Sequence, residues 1–343
     1  SWHWAFGINI PLGILIFAGV MLTVAESRGT DTGRTDAVGA VLSVITMAAL
    51  VFGLIEGRNY GWWTTDGPLE LAGVTWPWEL SPVPIALAIA VLGLIAFSAW
   101  GLRRRRLGHS TLLSFDLFRI PSFRNGNIAA TIVSLGEFGV ILALPLWLQF
   151  VLGFDALQTG FVLLALAIGS FVASGVAGAA SGKIAPVWVL RAGLIAEIIG
   201  IGGLGFVITP DANWVLLLPV LFVYGLGVGL ATAQLTGVVL ADVPVAEGGQ
   251  ASGTQSTARQ VGAALGIAVL GTILFTSTSA ALTASLDDQG VPAAQRDQVV
   301  TSVVDSAGGA IAGLRQNPDT VQIADAAAQA FSDGTRYATW AAA

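Results

Sequence analysis

Residues 214–241 read WVLLLPVLFVYGLGVGLATAQLTGVVLA, and none of them is charged. The run is apolar without interruption and lacks the period-two alternation of a strand with one face in lipid, so a helix is the reasonable conformation. It exceeds the ~20 residues that a helix needs to cross ~30 Å of hydrocarbon. Pro219, Gly225, Gly227 and Gly229 would break a helix in water. In lipid they are common, because close backbone packing matters and neighbouring helices re-satisfy the freed carbonyls.

Seven further blocks share this character: Trp4–Val24, Ala37–Ile55, Val83–Trp100, Ile128–Leu152, Gly160–Ala180, Val187–Ile208 and Ala258–Phe275, and a ninth begins at Arg336–Trp340. Charged residues are 10% of the 343, against ~25% in a soluble domain. Counting the 43 glycines and leaving out the 3 tyrosines brings the apolar share from 55% to about 67%, where soluble domains hold ~45–50%. A soluble fold could not hide that surface. The predicted fold class is therefore all-α, a polytopic transmembrane helix bundle, with the lipid bilayer as its first partner. A soluble enzyme is excluded.

Lys and Arg set the orientation. With the first loop, Glu26–Asp36, inside, the inside connections hold Arg28, Arg34, Arg103, Arg104, Arg105, Arg106, Arg119, Arg124, Lys183, Arg191 and Arg259. The outside ones hold Arg58, Arg296, Arg315 and Arg336. That division, 11 of 15 against 4, is a positive-inside bias dominated by Arg103–Arg106. This run reads as a topology anchor touching anionic lipid, not as a nucleic-acid patch. Glu56–Ser81 is rich in aromatics (Tyr60, Trp62, Trp63, Trp76, Trp78), as expected of a segment at headgroup level. Ser277–Thr335 reads as an extracytoplasmic loop of modest structure, with short amphipathic helices at Ala293–Asp305 and Thr320–Phe331. With no methionine or charged leader before Ser1 and a new hydrophobic stretch beginning near Ala343, the chain reads as a fragment cut at both ends. It has no cysteine, so disulfides and thiol ligands are excluded.

Ionisable residues inside spans are the first functional candidates, because a charge at mid-membrane costs several kcal/mol. Glu137, in Ser134-Leu-Gly-Glu-Phe-Gly139, and Glu197, in Leu194-Ile-Ala-Glu-Ile-Ile-Gly200, each lie near the middle of a span. An acid in low dielectric holds its proton more tightly than in water, which suits proton loading and release or neutralisation of a cation. The alternative is a protonated acid that hydrogen-bonds a neighbouring helix. Gln149, Tyr224, Thr232, Gln234, Thr236, Gln255 and Gln260 could line an aqueous path or join helices, and joining is the commoner role. Arg259 reads as an anchor or as a partner of Asp242.

Other motifs fall away. Gly200–Gly205 (GIGGLG) and Gly225–Gly229 (GLGVG) sit in apolar runs with no preceding strand, so they signal helix packing and not phosphate binding. His3 and His109 have no ligand spacing around them, and no metal site is expected. No serine has a base at a readable spacing.

The sequence also resembles the major facilitator superfamily, specifically its fourteen-helix drug:proton antiporters (the EmrB/QacA type). Ser1-Trp-His-Trp-Ala-Phe-Gly-Ile-Asn-Ile-Pro-Leu-Gly13 resembles the entry to that family's sixth helix. Leu144-Pro-Leu-Trp-Leu-Gln149, with Gly153 and Gly160, resembles the end of its ninth. Gly248-Gly-Gln-Ala-Ser-Gly253, Gln255, Arg259-Gln260-Val-Gly262, Gly266 and Leu270-Gly271 are similar to its thirteenth-helix signature, and Phe331-Ser-Asp-Gly-Thr-Arg336 to the lead-in to its fourteenth. The family's cytoplasmic acid–glycine–arginine loop is present only as Ser181-Gly-Lys-Ile-Ala-Pro-Val187. Gly182, Ala185 and Pro186 replace the acid, the glycine and the arginine, and Lys183 alone keeps the pattern.

The resemblance implies helices six to thirteen: residues 1–24 as the last helix of the N-terminal bundle, 25–107 as two extra central helices with loops, and 108–343 as the C-terminal bundle, with the loop at about 277–335 and the start of a final helix. It implies proton-coupled export of hydrophobic or cationic compounds by alternating access, with Glu137 bordering the central cavity and Glu197 on a peripheral helix. Gln149, Tyr224 and Gln234 become candidates for the cavity wall, and Gln255, Arg259, Gln260, Gly262 and Gly266 for the conformational signature. The fragment alone is expected to be inactive. No cofactor beyond a proton gradient, no nucleic acid and a monomeric state are expected. The same fold carrying amino acids, lipids or siderophores, and a non-transporting scaffold or sensor, are the alternatives. Fourteen arginines to one lysine, with abundant alanine and glycine, suggest a GC-rich bacterial source, hence a multi-pass protein of the bacterial plasma (inner) membrane.

Overall fold

The computed structural model describes residues 7–24, 36–65, 70–71, 74–180 and 182–343, with 70–71 and 74–75 described as backbone only. Trp4 of the first block, His3, Arg28 and Arg34 of the first loop, and Ser181 lie outside the described residues. The chain divides into two units, 1–35 and 36–343. The first contains α1, Asn9–Thr23, an apolar helix of 15 residues.

In the second unit the helices begin where capping chemistry permits. Asp36 accepts from the Gly39 amide at 3.0 Å and starts α2, Ala37–Ile55. Ser81 accepts from the Val83 amide at 3.2 Å and, with Pro82 in the first turn, starts α3, Pro82–Arg106. Arg103–Arg106 fill the last turn of α3, where cations complement the helix dipole. Then come α4 (Pro121–Phe150), α5 (Ala156–Ala180), α6 (Pro186–Val207), α7 (Trp214–Leu240, capped by Asn213) and α8 (Gly248–Asp288). Three more follow: α9 (Ala293–Asp305), α10 (Ala310–Gln316) and α11 (Val321–Ala342). Between α2 and α3 a two-residue antiparallel pair joins β1 (Glu70–Leu71) to β2 (Val74–Thr75). Seven helices among the described residues, α2 to α8, are long and apolar enough to cross a membrane.

Glycine sets the packing of the bundle. α7 lies between α5 and α6. Gly225 and Gly229 of α7 sit against the carbonyls of Leu166 and Ser170, which fixes a parallel register with α5. On the other side Gly193, Gly200 and Gly227 place Ala231, Tyr224 and Glu197 opposite them, an antiparallel register with α6. α4 runs parallel to α8, with Gly262 against the Thr131 carbonyl and Gly266 against that of Leu135. A Cβ at these positions would collide with backbone, and only the missing side chain lets the helices approach so closely. The GIGGLG and GLGVG stretches are packing motifs, as their apolar setting predicts. α11 closes the bundle against α8, α4 and α6, and Trp147, fully buried on α4, donates to the Ser332 hydroxyl on α11 at 3.0 Å.

Two stretches differ from the sequence reading. Over 277–335, where a loop of modest structure is expected, α8 continues to Asp288 and α9 occupies the expected Ala293–Asp305. The expected Thr320–Phe331 helix is the first half of α11, which runs on through Arg336 and Trp340. Hydropathy falls in these stretches because serine, threonine and acids enter, yet Ala and Leu keep them helical, and the hydroxyls of buried Thr278, Ser332, Thr335 and Thr339 donate to the carbonyls of Leu274, Ala328, Phe331 and Thr335, one turn earlier on the same helices. The Arg103–Arg106 anchor is also partly used within the protein. Arg105 pairs with Asp116 at 2.7 Å, and Arg104 lies 3.7 Å from Asp36 and donates to the Ser110 carbonyl at 2.8 Å.

Candidate functional site

The midplane of the bundle is where the polar residues need explaining. Glu137 stands within two residues of the midpoint of α4, and Glu197 within one of the midpoint of α6. Glu197 lies against α7 at Gly227, where an added Cβ would come 2.7 Å from its Cγ. Gly126 of α4 lies against Val239 of α7, and three successive reversals between spans set these two helices antiparallel. Glu137, eleven residues further along α4, therefore comes level with Val228 of α7 at the common rise per residue. Both acids reach the same depth beside the centre of α7, although sixty residues separate them in sequence. Tyr224 follows one turn along α7, packed on Gly200.

Burial and electrostatics agree with that register. Tyr224 is fully buried, Glu197 is 7% exposed and Glu137 is half-buried. Glu137 lies within electrostatic reach of Glu197, and both carboxyls within reach of the Tyr224 hydroxyl. Arg259, half-buried on the N-terminal part of α8, lies within electrostatic reach of Glu137. Among the described residues, Glu137 Oε2, Glu197 Oε1 and the Tyr224 hydroxyl are buried without a hydrogen-bond partner. A cavity of about 290 Å³ opens between α4, α6 and the end of α11, and Glu197, Val133 and Gly136 line it. A larger crevice, about 660 Å³, lies away from these acids, between the 57–64 turn and Thr272–Ala280 of α8. Among the described residues no three His, Asp or Glu side chains gather as metal ligands would.

The remaining candidates scatter. Gln149 is half-buried near the far end of α4, ~18 Å from Glu137 along the axis. Gln234 donates to the Ala177 carbonyl at 3.4 Å and so joins α7 to α5. Gln255, 4% exposed, donates to the Thr236 hydroxyl at 3.1 Å and joins α8 to α7. Gln260 is exposed, and Gly262 and Gly266 seat α8 on α4. Among the described residues Arg259 and Asp242 form no ion pair within 4 Å; the acid that Arg259 acts on is Glu137.

Sequence reasoning passed over one buried acid. Asp36 is 5% exposed and accepts from Trp100 Nε1 at 2.9 Å and from the Leu112 amide at 3.3 Å, besides capping α2. Burial alone would raise the proton affinity of its carboxyl. The donations from Trp100, Gly39 and Leu112, with the charge of Arg104, outweigh burial and hold it below the ordinary aspartate range. Its position directly before an apolar run was the available signal.

These features together define a polytopic helical membrane protein with unpartnered acids at its midplane. Residues 1–267 match the sequence model of the Major Facilitator Superfamily, and the chain belongs to that family. It is 32% identical over 296 residues to a Streptomyces coelicolor protein named "Probable actinorhodin transporter", covering 84% of this chain and 47% of that protein. It is 28% identical over 345 residues to "Multidrug resistance protein Stp" of Mycobacterium tuberculosis (98% and 60%), and 29% over 337 residues to "Multidrug efflux pump LfrA" of Mycolicibacterium smegmatis (97% and 61%). The chain spans about half to three-fifths of the length of these relatives.

Proposed function

We propose that this chain is part of a secondary active transporter of the fourteen-helix drug:proton antiporter type, exporting hydrophobic or cationic compounds in exchange for protons across a bacterial inner membrane. Two helical bundles rock about a midplane site in such a protein. This chain supplies the C-terminal bundle, the two central helices and one helix of the other bundle. The observation that carries the reading is the pair of acids at the bundle midplane, since acids at that depth are rare outside ion and substrate pathways. The name of one relative, a multidrug efflux pump, supports export as the direction. A proton moving down 100 mV releases about 2.3 kcal/mol, enough for a useful concentration ratio.

Glu137 is the proton- or cation-handling group of this half in our reading, because it is half-buried and has Arg259 within electrostatic reach. The test uses the whole transporter in inside-out vesicles under an imposed proton gradient, with uptake of a fluorescent lipophilic cation followed in wild type and Glu137→Gln. Gradient-driven uptake that the substitution abolishes, with insertion intact, is the expected result. Uptake unchanged by the substitution removes Glu137 from coupling.

A further inference from the structure

The α2–α3 hairpin is close-packed within itself. A Cβ at Gly53 of α2 would come 2.7 Å from Leu87 of α3, and one at Gly93 of α3 would strike the Thr46 hydroxyl of α2. At its arginine-rich end the hairpin runs into a linker that α4 and α8 hold. Gly101 of α3 packs against the Phe115 ring, Arg105 pairs with Asp116, and Asp36 at the start of α2 accepts from the Leu112 amide. Gln250, in the first turn of α8, donates to the Thr111 carbonyl at 3.0 Å. Leu117 is buried among Phe123 of α4, Val239 of α7 and Ala251 of α8. At the opposite end Arg58, in the turn after α2, reaches a residue 246 positions away in sequence. It donates to the Val304 carbonyl in the last turn of α9, and its guanidinium lies 3.3 Å from the centroid of the Phe275 ring of α8. A carbonyl at a helix C-terminus favours a cation, and the face of an aromatic ring attracts one. The turn that projects Arg58 is itself fixed, with the Trp62 ring closed against Gly57 and Gly61 at a φ of 79°.

We propose that the α2–α3 hairpin is clamped at both ends to the bundle of α4–α11 and travels with it as one rigid body through the transport cycle, Arg58 closing one clamp and Gln250 the other. The proposal rests on the transporter reading above and deepens it, by assigning the two central helices to one side of the rocking motion. Held by the 107–120 linker alone, the hairpin would be free to swing about that end. The Arg58 contacts remove the swing, because they hold the far end of the same helix. α2 is 19 residues long, so the two clamps stand ~28 Å apart at the helical rise per residue. A swing of about 10° about the linker would carry Arg58 about 5 Å, beyond hydrogen-bond distance of the Val304 carbonyl. Each clamp also joins the hairpin to α8 or to residues packed on it, so both ends are referred to one helix.

The experiment uses the whole transporter with paired substitutions, Thr64→Cys with Ala280→Cys across the crevice beside Arg58, and Thr111→Cys with Gln250→Cys at the other end. A short bifunctional thiol reagent joins each pair, and proton-driven ethidium uptake is measured in proteoliposomes against the same variant treated with a monofunctional reagent. Uptake within about twofold of that reference is expected for either link and for both together. A larger loss on joining either pair means that the hairpin moves against the bundle, and overturns the proposal. Pulsed EPR reads the Arg58 clamp without any cargo. Spin labels on the 64 and 280 pair should give one narrow distance distribution, unchanged by ethidium or by pH, and Arg58→Gln should broaden it. A broad or two-peaked distribution with Arg58 in place, or one indifferent to Arg58→Gln, overturns the clamp. Absence of driven uptake in the unlinked protein counts against the drug:proton reading and not against the clamp, which the EPR distances then decide alone.

Discussion

Replacing Gly200 by alanine places a Cβ 2.5 Å from Tyr224 Cα and 2.6 Å from its Cβ and amide nitrogen. Carbon atoms in ordinary contact lie ~3.5–4.0 Å apart, so about 1 Å is missing. The atoms in the way belong to the α7 backbone and the root of a fully buried side chain, so no rotamer relieves the overlap. α6 and α7 must part instead, at the seam that brings Glu197 onto Gly227. Overpacking of this kind costs about 1–3 kcal/mol, and each kcal/mol lowers a thermal midpoint by roughly 2–4 °C in a chain of a few hundred residues. Gly202, two residues away, provides the control, since an alanine Cβ there meets nothing within 4 Å. Gly202→Ala should be neutral or slightly stabilising. The assay is thermal unfolding in detergent, followed by intrinsic tryptophan fluorescence on matched preparations. Equal midpoints for the two variants, or a lower one for Gly202→Ala, would refute the close α6–α7 contact and with it the placement of Glu197.

Other outcomes follow from the same contacts. Asp36→Ala removes the cap of α2 and leaves Trp100 Nε1 and the Leu112 amide without their acceptor, so a loss of roughly 2–4 kcal/mol is expected in the same unfolding assay. The Asp36 carboxyl lies below its ordinary value when folded, so its contribution is complete above the unfolded pKa near ~3.9 and is lost as pH falls through the lower folded value. Across pH 5–8, Asp36→Asn should therefore show a constant stability difference from wild type, and a difference that varies across that window contradicts the assignment. Gln255→Leu should change stability by about 0.6 kcal/mol or less and leave driven uptake intact, because its hydrogen bond to Thr236 joins two helices. Lost uptake with unchanged stability would give Gln255 a role in transport.

The spans were legible from residue types alone, because each segment of a lipid-exposed helix must satisfy its backbone internally and present apolar side chains wherever it meets hydrocarbon. The same logic exposed Glu137 and Glu197, since a carboxylate inside such a run stands out without any structure. Glycine in GIGGLG and GLGVG announced close packing, though not its partner. What the sequence alone determined is local: which residues lie in lipid, which begin a helix, and which are out of place. Tertiary structure decided the rest. Hydropathy records the solvent around a helix and not its length, so α8 and α11 run past their apolar cores into stretches held by alanine and by contact with other helices. Tyr224, a plausible cavity residue by type, is fully buried on the seam with α6. The level placement of Glu137 and Glu197 depends on how two helices register against a third, and that register is set by glycine positions on three separate segments, which only their packing together brings into one depth.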